Sequence, residues 1–201
     1  MPPTACMGWR LMPKIAKVGV AVVGVPIIAL LLFLTYYDLH DFRPYLSKIN
    51  AVYDAMNAED QQPPPAVEDF ISKVQGRKGD YFAASSLLWE IRGLPQAIIN
   101  RPMRMSTYHY HSFMWQVLLT AHFGKTKRLA FYCHYLPYED GTGLSGASQF
   151  YFGKHPNGLS LDEIAEVMAI GISPRRNSPT RHPEQMQATK RRLLDAYAAA
   201  R

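Results

Sequence analysis

Histidines, acidic dipeptides and a basic C-terminal run are the residues of this chain whose types could do chemistry. His109, His111, His122 and His134 fall within one stretch. His111 and His122 are eleven positions apart, so on a helix they share a face with Trp115 and Leu118. Imidazoles so placed could hold zinc, but no carboxylate or thiolate stands at ligand spacing. They read as satisfied core or groove histidines, and no metal site is expected. Glu59-Asp60 and Glu68-Asp69 are two acidic dipeptides. By type alone, Glu59 reads as a solvated loop acid and Glu68 as a helix first-turn acid that suits the dipole. Glu163, three residues after Ser160, reads as a capping-box partner. Lys125, Lys127 and Arg128 are either a basic rim or a solvated helix end. Seven basic residues lie between Arg175 and Arg201, against Glu184 and Asp195 alone. Such a patch suits anionic lipid headgroups, pyrophosphate or another polyanion, unless it is simply a solvated helix face.

Whatever these groups do, an apolar segment decides where they do it. Val18 to Tyr37 carries no charge, and twenty helical residues at about 1.5 Å each cover the roughly 30 Å of a bilayer's hydrocarbon core. Arg10, Lys14 and Lys17 precede it, and Asp38 and Asp41 follow. Lys and Arg stay on the cytoplasmic side, so the expected order is a cytoplasmic tail (1–17), a membrane anchor (18–37) and an extracytoplasmic domain (38–201). A cleaved signal peptide would need a shorter apolar core and small residues at its exit. The exit here is Leu34-Thr35-Tyr36-Tyr37-Asp38. Nineteen of the 22 basic residues and all 16 acidic residues lie past the anchor, an excess of three positive charges. Nucleic acid is not an expected partner for a domain so placed. Cys6 and Cys133 fall on opposite sides of the anchor, so no disulfide framework is expected.

The domain reads as mainly α. Asp41 to Ala58 predicts a helix with Tyr45, Ile49, Val52, Tyr53 and Met56 as its apolar stripe. Pro63-Pro64-Pro65 stiffens a loop, and Val67, Phe70, Ile71 and Val74 then share a face of a helix ended by Gly76. Ser112 to Lys127 predicts a helix apolar around most of its circumference. Tyr138 to Ser148 is glycine-rich and reads as a loop. A capped helix opens at Ser160, Pro174 and Pro179 bound a loop after it, and Glu184 to Ala200 predicts a final helix.

Between Gly143 and Asp195 a family pattern stands out. Gly143-Leu-Ser-Gly-Ala147 leads to Tyr151-Phe152-Gly153-Lys154. Leu159-Ser160-Leu161-Asp-Glu163-Ile-Ala165, Ser173-Pro174-Arg175 and Lys190-Arg191-Arg192-Leu193-Leu194 follow. This resembles the C-terminal half of the peptidoglycan glycosyltransferase domain of monofunctional transglycosylases and bifunctional penicillin-binding proteins. That family writes G-I-x-A-A-x-x-Y-F-G-K, L-S-L-x-E-A-A, A-P-S-x-Y-N-P and R-R-x-x-V-L. Gly124-Lys125-x-x-x-Leu129-x-x-Tyr132 looks like its S-K-x-x-I-L-x-x-Y-L-N, with His134 at the Asn position. Ala83-Ala84-Ser85-Ser86 sits where the family has G-G-S-T, and Trp89-Glu90 falls near its paired glutamines. With gaps, the resemblance covers residues 45–198.

The resemblance implies a lysozyme-like, mainly α domain acting on lipid II or peptidoglycan beside a bacterial inner membrane, with other cell-wall proteins as further partners. In the family a sugar hydroxyl attacks the anomeric carbon of the growing chain and undecaprenyl pyrophosphate leaves. A carboxylate must accept the hydroxyl's proton. Cations, with or without a divalent metal ion, must neutralise the departing pyrophosphate. Carried over, the family's first glutamate falls on Glu59, which keeps the Glu-Asp dipeptide without the Phe and His that should follow. Glu68-Asp69 keeps the dipeptide too but lies too close to Ser85. The second glutamate maps to about Ser112, where no acid stands. Ser85, Ser86, Arg101, Arg104, Lys125 and Lys154 are the substrate-binding candidates that the resemblance implies. Two outcomes stay open: a divergent glycosyltransferase, or the same fold reduced to a binding or scaffold module.

Overall fold

The computed structural model describes residues 14–92 and 105–200, which separate into two compact units, Met1–Tyr45 and Leu46–Arg201. Arg101 and Arg104 lie outside the described residues.

The first unit is built on α1 (Lys14–Tyr37), 24 residues long with Pro26 inside it. From Val22 to Phe33 its large apolar side chains stand exposed. Exposed apolar surface of that extent is stable only where something other than water covers it, and α1 is long and apolar enough to cross a membrane. A wide helical turn (Asp38–Phe42) and a tight one (Arg43–Tyr45) follow, closed by an Arg43–Asp38 ion pair at 2.7 Å. The helix expected from Asp41 therefore starts later, at Leu46. Pro44 gives the reason: it offers no N–H and its ring opposes a regular i−4 bond.

The second unit is helical. Its elements are α2 (Leu46–Ala55), the single turn α3 (Ala58–Gln61), α4 (Pro65–Val74), α5 (Arg77–Arg92), α6 (Met105–His122), α7 (Lys125–Tyr135), α8 (Leu144–Phe152), α9 (Leu161–Ile172) and α10 (Pro183–Ala199). One small antiparallel hairpin, β1 (Pro137–Tyr138) with β2 (Gly141–Thr142), separates α7 from α8. Helix α5 packs on α6 and α7, α3 packs on α7 and α8, and α9 packs on α10 and α4. Trp115, Phe70, Phe131, Leu119, Leu136 and Met168 are fully buried at the centre.

Local sequence explains most of these boundaries. Pro65 opens α4 at its first turn, and Val67, Phe70 and Ile71 are buried as the periodicity predicts. Gly76 then turns the chain at φ +46°. The capping box of α9 is complete: Ser160 Oγ accepts the Glu163 N–H at 3.3 Å and Glu163 Oε2 accepts the Ser160 N–H at 2.8 Å.

Two expectations fail for local reasons. The helix predicted through Lys127 stops at His122. Gly124 takes an extended conformation (ψ 164°) and starts α7 instead. Helix α6 also exposes Tyr110 and Phe113 while burying Trp115, Leu118 and Leu119, so it is covered on one side rather than all around. The loop expected across Tyr138–Ser148 is a loop only as far as Gly143. Leu144 and Ala147 supply the buried face of α8, a helix that the two flanking glycines hid from a compositional reading.

Candidate active site

Glu59 and Asp60 are neighbours in α3 with opposite surroundings. Gln61 anchors the turn by donating from Nε2 to the carbonyls of Tyr53 (2.9 Å) and Met56 (3.3 Å). Asp60 is buried, and its Oδ1 accepts the Ser145 N–H at 2.9 Å, at the start of α8. Burial pushes its carboxyl above the usual range, while the Ser145 N–H and the His134 ring pull it back. Gly143 makes this approach possible. Its φ is +108°, and a Cβ there would stand 2.9 Å from Asp60 Oδ2. Asn57 Nδ2 adds a 3.3 Å bond to Ser145 Oγ. The acidic turn is thus fastened to the first turn of α8.

Glu59 is only half-buried. Its Oε1 lies 2.6 Å from Nδ1 of His155, whose side chain is 79% exposed. His155 follows the Tyr151–Lys154 corner, where Gly153 ends α8 at φ +62°. A carboxylate bonded to one imidazole nitrogen keeps its second oxygen for another proton. The geometry therefore offers an acid that can accept a proton at a solvent-accessible edge, held by an imidazole 96 residues away in sequence. Sequence reasoning did not single out His155. Its place directly after Lys154 was the available signal.

The remaining candidates separate. Lys154 lies on the same corner, and its Nζ pairs with Glu163 Oε1 at 2.5 Å. That pair, with the Ser160 N–H, holds the Glu163 carboxyl at about 2. Lys125 is elsewhere. It pairs with Glu68 at 3.1 Å and borders a cavity of about 150 Å³ with Asp80 and Arg128. Ser85 is buried and donates to the Phe82 carbonyl one turn back at 2.9 Å, so its hydroxyl serves α5 itself; Ser86 beside it is half-buried. Ser112 is fully buried, and its hydroxyl has no hydrogen-bond partner among the described residues. An ionised acid at that position would be buried and costly.

Along α5 the aromatic residues find polar and aromatic partners. Tyr81 Oη and His109 Nδ1 are 2.7 Å apart, Trp89 meets Tyr108 edge-on, and the Tyr135 hydroxyl donates to Glu90. Among the described residues no three His, Cys, Asp or Glu side chains gather into a group that could hold a metal ion. Cys133 is buried, which pushes its thiol well up and leaves it unreactive.

A model of the transglycosylase family matches residues 96–198, about half of the chain. The chain belongs to the transglycosylase family. It is 34% identical to penicillin-binding protein 1C of Escherichia coli (strain K12) over 88 residues, which is 42% of this chain and 11% of that protein. It is 40% identical to penicillin-binding protein 1A of Aquifex aeolicus (strain VF5) over 73 residues, 36% of this chain and 10% of that protein. The chain spans about a tenth of the length of these relatives. Its domain has the mainly α, lysozyme-like architecture of transglycosylases, and an apolar helix precedes it. The match begins past Arg92, so α8, α9 and α10 lie within it. The α3 turn with Glu59 and the α5 serines lie before it.

Proposed function

We propose that this chain acts on lipid II or peptidoglycan strands at a bacterial inner membrane as a divergent glycosyltransferase, with Glu59 as its general base. One observation carries the reading. The Glu59-Asp60 turn lies before the family match, yet it docks on the matched Gly143–His155 segment through both carboxylates. A loop acid with no role would need neither contact. In the proposed step, Glu59 takes the proton from a sugar hydroxyl as that oxygen bonds to the anomeric carbon. The bond from that carbon to the diphosphate breaks, and the diphosphate leaves with its electron pair. The Lys and Arg distribution supports a cytoplasmic N-terminus with the domain outside.

The test is polymerisation of lipid II by the full-length chain in detergent, with Glu59→Gln beside the unaltered protein. Loss of a general base slows such a step about 10²- to 10⁴-fold. Equal rates in the two proteins, or no polymer from either, would remove the enzymatic reading.

A second reading has its own support. Ser112 is buried where the family places its second glutamate, and both Lys125 and Lys154 are held by carboxylates. These features suit a module that holds lipid II, a glycan strand or a cell-wall protein without turning substrate over. Saturable lipid II binding by a chain that makes no polymer would establish it.

A further inference from the structure

The second unit gathers three cations around a cleft away from Glu59. Helix α4, the loop after α9, and α10 border a cleft of about 490 Å³, within the range of small-molecule sites. Lys78, Arg176 and Arg192 line it, and no carboxylate does. Several other cations of this unit pair with acids: Lys73 with Asp69, Lys125 with Glu68, Arg128 with Asp80, Lys154 with Glu163, and Lys190 with Asp162 and Glu166. The three cations of the cleft have no such acid among the described residues. Carbonyls at the ends of α4 and α9 favour a nearby cation each, but Arg192 lies mid-helix and has no helix end to complement.

The cleft is also built rather than incidental. Its cations come from positions 78, 176 and 192, on three separate elements. Buried Asn177 fixes the loop next to Arg176. It donates to the Ala169 carbonyl at 2.6 Å and accepts from Thr189 Oγ1 of α10 at 3.3 Å. Arg192 Nη2 reaches the same Thr189 hydroxyl at 3.3 Å. Ile172 stands exposed at the wall, an apolar surface beside the charges.

We propose that this cleft binds a phosphate-bearing anion. Two guanidinium groups and an ammonium suit phosphate better than a lone carboxylate. Each guanidinium can donate two parallel N–H bonds, and a phosphate monoester brings a charge of about −1.5 to −2. Ile172 gives the sugar or alkyl portion of such a ligand a surface to lie on. The proposal is independent of Glu59's role, because no residue of the Glu59 site lines the cleft.

The ligand could be a soluble phosphorylated molecule or a lipid headgroup, and one experiment separates them. The full chain is placed in nanodiscs of zwitterionic lipid and titrated with inorganic pyrophosphate by calorimetry. The titration is repeated in discs containing an anionic phospholipid. Saturable binding is expected in the first discs. Weaker apparent binding in the second marks the headgroup as a competitor for the same cleft; unchanged binding marks a soluble ligand. The R176Q/R192Q variant should bind about a hundredfold more weakly, at about tenfold per charged donor lost. Its thermal unfolding should be unchanged, since both side chains are exposed. Glu59→Gln should bind as the unaltered chain does. Absence of saturable binding in zwitterionic discs, binding undiminished in R176Q/R192Q, or binding lost in Glu59→Gln would each overturn the proposal.

Discussion

The segment from Gly143 to Ala199 and the segment from Leu46 to Arg92 treat the family pattern in opposite ways. In the first, the residues that carry the resemblance are those that shape the backbone. Gly143 and Gly153 take positive φ at the two ends of α8, Ser160 and Glu163 cap α9, and Asn177 ties the following loop to α10. The second lies before the family match and is held by ordinary apolar packing through Ile49, Val67, Phe70 and Leu87. Turns and caps tolerate few residue types, whereas a packed helix face tolerates many of similar volume. A recognisable motif here therefore marks where the backbone is demanding. The acid proposed to do chemistry stands outside the matched segment and reaches it only through tertiary contacts.

The comparison can be broken at its tightest point first. Gly143→Ala forces a side chain into a left-handed conformation against a buried carboxylate. It should cost about 3 kcal/mol, read as loss of thermal stability of the full chain. A change below about 1 kcal/mol would show that the Asp60–α8 junction yields easily. Asn177→Ala removes the buried link between α9's loop and α10. It should cost about 2 kcal/mol, since the Ala169 carbonyl and the Thr189 hydroxyl each lose a partner.

Ser160→Ala should cost about 1 kcal/mol, the ordinary value of a lost N-cap. The same cap carries a pH signature. Glu163 is held at about 2, below the 4.5 usual for it, so its ionised form favours the folded state. That contribution is complete above pH 4.5 and is lost as pH falls toward 2. Glu163→Gln should flatten the stability profile in that window, and a profile still sloping there by the same amount would contradict the assignment. Least of all, Lys125→Gln should shift stability by under about 0.5 kcal/mol, because its partner Glu68 is a surface one. A larger loss would move Lys125 from the solvated edge into the working part of the molecule.

The anchor helix, α4, the capped α9 and α10 were legible because periodicity, proline and capping signals agree there. Two kinds of feature were not. Gly124 read as the interior of one helix and Gly143 as part of a loop, but each one starts a helix, a distinction that depends on backbone angles. The surroundings of Glu59 were hidden for a different reason. Its partner His155 is 96 residues away, and nothing in the local sequence of either residue encodes the meeting. Likewise Lys125 and Lys154 carry the same charge, and only the fold shows that one faces the Glu68 edge while the other joins the corner beside Glu59's partner.

Glycan polymerisation by Glu59→Gln, with Glu68→Gln as its twin, tests the central claim most directly. Both substitutions remove one acid from a Glu-Asp dipeptide, but Glu59 meets His155 beside the Tyr151–Lys154 corner, whereas Glu68 pairs with Lys125 at the start of α7. The expected result is polymer from the unaltered chain and from Glu68→Gln, with Glu59→Gln slowed at least about a hundredfold. Equal rates for all three, or a loss confined to Glu68→Gln, would contradict the account.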